Sequence, residues 1–144
     1  MKLSLVKSKA AQQITSDVVF EYDEKGDPKV GFKIVGPDSP QYRAEQELQR
    51  REGLKRRVNS PKKANQFKTE EGQAELDKLT QDNITRNATA VVVDWFGFEN
   101  DDGEPAAFDA EQVGAIYEAK VSWRDKVLEA IYQEDAFLPK PAAN

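Results

Sequence analysis

The clearest pattern along the chain is a two-residue alternation of apolar and more polar positions between residues 17 and 35. Such a period is typical of half-buried β-strands. Two alternating runs are separated by Glu24–Pro28, a stretch rich in turn-forming residues. We therefore predict a β-hairpin over residues 17–35. The apolar positions that form its side are Val18, Phe20, Tyr22, Val30, Phe32 and Ile34.

The rest of the chain favours helices. Ser39-Pro40 has the form of an N-cap followed by proline at the first helical position. Asp109 and Gln112 have the spacing of a capping box. Trp123, Val127 and Ile131 recur every four residues, the most regular amphipathic pattern in the chain. These signals predict four helices, at about 40–57, 69–92, 109–118 and 122–134.

The most hydrophobic stretch is Ala90–Phe98, which is rich in valine and aromatic residues. Periodicity alone does not distinguish a strand from the end of a buried helix in so short a run. Our interpretation is that the preceding helix continues to about Val92 and then unwinds. The simplest role for Trp95, Phe96 and Phe98 is in the hydrophobic core.

These elements predict an α+β fold, in which an N-terminal β-hairpin precedes a mostly α-helical domain with four helices. An isolated hairpin is marginally stable in water, so this one needs helices, more strands or a second subunit to cover it. We expect a flexible arm over residues 1–16, a single domain over 17–138 and a loose tail over 139–144.

Composition restricts the chemistry. The chain contains no Cys and no His. Disulfides, zinc sites built from these residues and catalysis by a Ser-His-Asp or Cys-His arrangement are therefore excluded. The acidic turn at Asp102-Gly103 does not have the ligand spacing of a calcium-binding EF-hand loop. We expect no enzymatic activity, no metal and no cofactor.

Charge is distributed unevenly. Residues 50–68 carry eight bases and one acid, whereas residues 91–144 carry four bases and twelve acids. A basic belt of this kind suits phosphate contacts, a solvated helix end, or an acidic partner, including a neighbouring copy of the chain. Nucleic acid is the less favoured partner, because only one aromatic residue, Phe67, is available for stacking. The belt residues considered are Arg50, Arg51, Lys55, Arg56, Arg57, Lys62 and Lys63.

No apolar run approaches the roughly 20 residues of a membrane span. The N-terminus lacks the apolar core of a signal peptide. We therefore expect a cytoplasmic protein with no membrane partner.

Two segments carry a family resemblance. Residues 91–138 contain a valine-rich approach to Trp95, the pair Phe96-Gly97, an acidic turn at Asp102–Pro105, then Phe108 and two short helices. This plan resembles the C-terminal region of the tail assembly chaperones of tailed, siphophage-like bacteriophages. The stretch Gly36–Arg43 is similar to a motif that follows the hairpin in many of them.

The resemblance implies a chaperone that binds the long helical tape measure protein, keeps it soluble and helps recruit tail tube subunits. It also implies a protein of the host cytoplasm that is absent from the mature virion. We expect self-association as well, because a thin core and opposite charges at different places favour it. A structural subunit of the tail or head–tail connector, or a nucleic-acid-binding regulator, is the alternative. The candidate partner-binding residues are Trp95, Phe96, Phe98, Trp123, Ile131, Tyr132, Phe20, Tyr22 and Phe32.

Overall fold

The computed structural model describes residues 1–59 and 69–139. In this part of the chain a three-stranded antiparallel sheet is combined with helices, so the α+β fold class is confirmed. The strands are β1 (Thr15–Tyr22), β2 (Pro28–Val35) and β3 (Val92–Phe96). The helices are α1 (Leu3–Lys7), α2 (Pro40–Asn59), α3 (Glu70–Ala90), α4 (Ala110–Ala119) and α5 (Val121–Ile131).

The sheet has β2 at its centre. Its neighbours β1 and β3 are both antiparallel to it, in the order β1-β2-β3. Phe32 pairs with Val18 on one side and with Trp95 on the other, so these three side chains share a face. The predicted hairpin is confirmed, and its turn contains Gly26 with a φ of 84°.

The prediction of a helix that continues to about Val92 is wrong. The helix ends at Ala90, and Val92–Phe96 form β3 beside β2. β-branched residues are favoured in strands, where they pack on a pleated surface. Strand β2, whose pairing makes this segment a strand, lies about 60 residues earlier in the chain, so no local pattern predicts the pairing.

The core lies between the sheet and the helices. Phe32, Ile34 and Val35 of β2 are fully buried, as are Val113 of α4 and Val127 of α5. Most of α2 and the first half of α3 lie outside this core, since their side chains there are largely exposed. The two long helices therefore extend from the sheet as a helical hairpin.

The predicted helix starts are well supported by caps. Ser39 Oγ accepts a hydrogen bond from the Tyr42 backbone N–H at 3.2 Å, and Pro40 opens α2. Asp109 Oδ1 accepts from the Glu111 backbone N–H at 3.0 Å and starts α4. Each cap satisfies a backbone donor that has no partner within the helix.

The predicted ends of the chain differ in detail. Within the predicted arm, Leu3–Lys7 form α1, Ala11–Gln13 form a 3₁₀ turn, and β1 already begins at Thr15. The last helix ends at Ile131 rather than 134, and Glu134–Phe137 form a 3₁₀ turn. Residues 140–144 of the predicted tail lie outside the described residues.

A buried hydrogen bond connects α3 to α4. The Tyr117 hydroxyl donates to the Ala88 carbonyl oxygen at 2.8 Å. This carbonyl is in the last turn of α3, where helix carbonyls lack partners further along the helix. Burial also raises the pKa of the Tyr117 hydroxyl well above its usual range.

Tyr117→Phe is expected to lower the free energy of unfolding by about 1–3 kcal/mol, because a buried carbonyl loses its donor. Urea unfolding measures the change, and the exposed Tyr22→Phe is the control. Above pH about 10 the unfolded chain releases the Tyr117 proton while the folded chain retains it, so stability falls with rising pH. A variant that shows the same alkaline decline as the parent protein would contradict this assignment.

Gly97 is held at a crowded corner. Its φ is 82°, a conformation that favours glycine, and a Cβ there would overlap the carbonyl oxygen of Lys29. The corner sets the direction in which the chain leaves β3.

Gly97→Ala is expected to cost more stability than Gly103→Ala. Both glycines have a similar positive φ, but a Cβ at Gly103 meets open space. Gly103→Ala carries only the backbone penalty of roughly 1–2 kcal/mol, and Gly97→Ala adds a steric overlap to it. Thermal unfolding of the matched pair measures the difference, and equal losses would show that Lys29 moves aside freely.

Candidate interaction surfaces

Seven aromatic rings form one connected cluster beneath the sheet. The rings of Phe20 and Trp123 stack in parallel at a centroid distance of 4.2 Å, and Phe20 meets Phe32 edge-on at 5.0 Å. Such offset and edge contacts stabilise aromatic pairs beyond their buried area. The members are Phe20, Phe32, Trp95, Phe98, Phe108, Tyr117 and Trp123.

Most of the aromatic residues that the sequence suggested as partner-binding candidates belong to this cluster. Phe20, Phe32, Trp95, Phe98 and Trp123 lie in it, and Ile131 is buried beside it. Their packing gives these six residues a structural role, whatever else they do.

Three candidates lie outside this cluster. Tyr22 is 59% exposed at the end of β1, and Tyr132 is 70% exposed after α5. Tyr132 forms a hydrogen bond with Tyr42 of α2. Burial, together with this hydrogen bond, raises the pKa of the Tyr42 hydroxyl. Phe96 is half-buried and lies on the sheet face opposite to Trp95.

We call this opposite side of the sheet the open face. It consists of two rows that cross the three strands: Val19, Gly31 and Phe96 in one, Asp17, Lys33 and Asp94 in the other. A Cβ on Gly31 would lie 2.6 Å from Phe96 Cζ, so the Phe96 ring covers this glycine. Lys33 Nζ lies 3.1 Å from Asp17 Oδ1 and 5.8 Å from the Phe96 ring centre.

The open face is thus apolar at one end and charged at the other. Val19 and Phe96 are half-buried, while Asp17 and Asp94 are exposed. Val19 was not among the candidates, although the alternation in β1 marks it as the residue opposite to Val18 and Phe20. This alternation predicts a surface position for Val19, and a single valine on a surface does not by itself indicate a binding site.

The contact between α2 and α3 is unusually polar, and we call it the polar seam. Arg86 of α3 bridges two glutamates of α2, at 2.6 Å to Glu45 and 2.8 Å to Glu52. Gln49 Nε2 donates to Asn87 Oδ1 at 2.8 Å. The hydrogen bond from Arg86 lowers the pKa of Glu52. Sequence reasoning missed Arg86, because its partners lie 34 and 41 residues away.

The basic belt lies on the second half of α2 as far as the structure describes it. Arg50 and Arg51 both contact Glu47, and the hydrogen bond from Arg50 lowers the pKa of that carboxyl to about 2. Arg51, Lys55, Arg56 and Arg57 are exposed. Lys62 and Lys63 lie outside the described residues.

Acidic side chains and a surface depression are the features of the described ranges that bear on metal or ligand binding. Residues 1–59 and 69–139 contain no group of three or more acidic side chains that could hold a metal ion. A shallow depression of about 470 Å³ is lined by the contiguous segment 132–136, which brings no distant groups together. No helix within these ranges is long and apolar enough to cross a membrane.

Comparisons with protein-family models, with curated proteins and with solved structures found no match.

Arg86→Gln is expected to loosen α2 from α3. The variant leaves Glu45, which is largely covered, without its counter-ion. Hydrogen exchange of α2 amides should speed up on the order of tenfold, while β2 amides stay protected as the internal control. The stabilising effect of the Glu52 bridge is present above pH about 4.5 and is lost as pH falls through the lowered pKa. Unchanged exchange in α2 would show that the bridge contributes nothing.

Proposed function

We propose that this protein is a tail assembly chaperone of a tailed bacteriophage. It binds the helical tape measure protein in the host cytoplasm, helps recruit tube subunits and leaves before the virion is complete. The observation that carries the proposal is the structural role of the two segments that resemble the family, residues 36–43 and 91–138. Each segment forms a site where the sheet meets the helices, and we call these two sites joints.

The first joint lies around the acidic turn. The indole Nε1 of Trp95 donates to the Ala106 carbonyl oxygen at 2.9 Å, across the turn. Glu99 and Pro105 form a bridge between the two sides of the turn, and Phe108 packs edge-on against Trp95 at 5.2 Å. The stretch from Trp95 to Phe108 is therefore a closed loop fixed on the aromatic cluster. The contacts within this loop support the interpretation of its residues as one motif.

The second joint follows the hairpin. A Cβ on Gly36 would lie 2.6 Å from Phe137 Cγ, so the last described turn of the chain packs on this glycine. Ser39 is 1% exposed and caps α2. The two segments of the resemblance thus connect the hairpin, the long helices and the C-terminal end.

A chaperone for a helical client needs an accessible apolar surface that remains soluble when empty. The apolar end of the open face, formed by Val19 and Phe96, meets this need. Its charged row of Asp17, Lys33 and Asp94 limits self-adhesion of the sheet when no client is bound. We assign client contact to this surface, with an apolar stripe of a client helix lying against Val19 and Phe96.

Co-expression with the tape measure protein of the same genome tests the function. The parent chain should keep the tape measure protein soluble and be recovered in complex with it. A tape measure protein that precipitates beside abundant folded chain would reject the proposal. Recovery of the chain in purified virions would favour a structural subunit instead.

Val19→Asp tests the assigned surface. It should reduce the recovered complex on the order of tenfold, because a carboxylate would be desolvated against the client. Ala115→Asp, on the exposed side of α4, is the matched control and should leave the complex intact. Circular dichroism and thermal unfolding confirm that each variant is folded. A complex that persists with Val19→Asp places client binding elsewhere on the chain.

A further inference from the structure

Helix α1 has an apolar side, yet it buries none of its residues. Leu3 is 72% exposed and Val6 is 49% exposed, and their spacing of three residues places both on one side of the helix. The helix is closed by Ser8, whose hydroxyl donates to the Leu5 carbonyl oxygen at 2.8 Å. A helix of only five residues is unstable in water on its own. Its apolar side therefore indicates that α1 is stabilised by packing on another surface.

The segment around α1 is basic. Residues 1–16 contain three lysines, Lys2, Lys7 and Lys9, and no acid. Lys2 precedes α1 and Lys7 ends it, and at 100° per residue both flank the side formed by Leu3 and Val6. We call residues 1–14, which precede β1, the basic arm. A surface that takes this arm must offer apolar contact and negative charge close together.

The open face of the sheet offers this combination. Val19 and Phe96 are half-buried in one of its rows, and Asp17 and Asp94 are exposed in the next row, together with one base, Lys33. Neighbouring rows on one face of a sheet are roughly 7 Å apart, which is two residues along a strand. Helix α1 is about 7.5 Å long, so it can contact both rows at once.

The exposed apolar residues of α2 suit the basic arm less well. Leu48, Leu54 and Val58 are exposed, but Arg51 and Lys55 of the basic belt lie between them and are exposed as well. Like charges at this helix would repel the lysines of the arm. Charge therefore favours the open face over α2 as the docking surface.

Chain direction favours the arm of a second copy as the occupant. Thr15 pairs with Val35, so the arm enters the sheet at the end where β2 leads into α2. The base of the arm lies beside α2, where Gln41 Nε2 donates to Gln13 Oε1 at 3.3 Å. To reach Val19 of its own chain, the arm would have to reverse direction at the start of β1. In a two-fold dimer each copy gives one arm and receives one, so the contact is closed.

We propose that the basic arm of one copy docks on the open face of a second copy. Leu3 and Val6 lie against Val19 and Phe96, and the lysines of the arm approach the acids of the neighbouring row. The arm then covers the surface assigned to the client, so arm and client compete for it. This competition rests on the proposed function, whereas the docking of the arm does not.

Site-specific cross-linking tests the contact, because the chain has no Cys of its own. A Leu3→Cys chain is mixed with a Val19→Cys chain of different mass under oxidising conditions. The mixed disulfide should form on the order of tenfold faster than with Ala115→Cys, an exposed position of α4, because docking raises the effective concentration of the two thiols. The chain that carries both Leu3→Cys and Val19→Cys, diluted into excess parent protein, reports docking within one chain.

Sedimentation analysis of the full chain at tens of micromolar measures association. The parent protein should be a dimer. Leu3→Ser should weaken association on the order of tenfold, because it removes apolar contact area. Leu5→Ser removes the same area from another side of α1 and should leave the dimer intact. Both positions are exposed, so circular dichroism should show an unchanged fold for each variant.

Three results would overturn the proposal. They are a monomeric parent protein, equal losses from Leu3→Ser and Leu5→Ser, and a disulfide that forms within one chain or equally fast with Ala115→Cys. The client is absent from both experiments. Failure of the arm contact therefore leaves the proposed chaperone function standing, and failure of co-expression leaves the arm contact standing.

Discussion

The sheet depends on pairing of β2 along both edges. Phe32 at the middle of this strand is fully buried and meets the rings of Phe20, Phe98 and Tyr117, each from a different segment. Backbone hydrogen bonds fix which residues stand side by side, and the aromatic contacts then hold α4 and α5 over that row. A change that shifts the register of β2 by one residue would move Phe32 to the open face and disperse the cluster.

The helical hairpin follows a different principle. Helices α2 and α3 meet through Arg86, two glutamates and several side-chain amides. Polar contacts of this kind contribute little net stability, but they fix which sides of the two helices face each other. Leu48 and Val58 of α2 stay exposed beside this contact.

The open face of the sheet has two ends of different character. Val19 and Phe96 are half-buried at one end, and a row of two acids and one base, Asp17, Lys33 and Asp94, crosses the other. The proposed client contact uses the apolar end.

Local patterns in the sequence determined the hairpin, the caps at Ser39 and Asp109, and most of the helical segments, because each depends on neighbouring residues. Only the tertiary structure decided the state of Val92–Phe96, since the choice between helix and strand depended on the distant edge of β2. It also decided which candidate residues join the aromatic cluster. The sequence shows that Trp123 and Phe96 are apolar. Whether either one faces the core depends on which element covers it, and that is a property of the assembled fold.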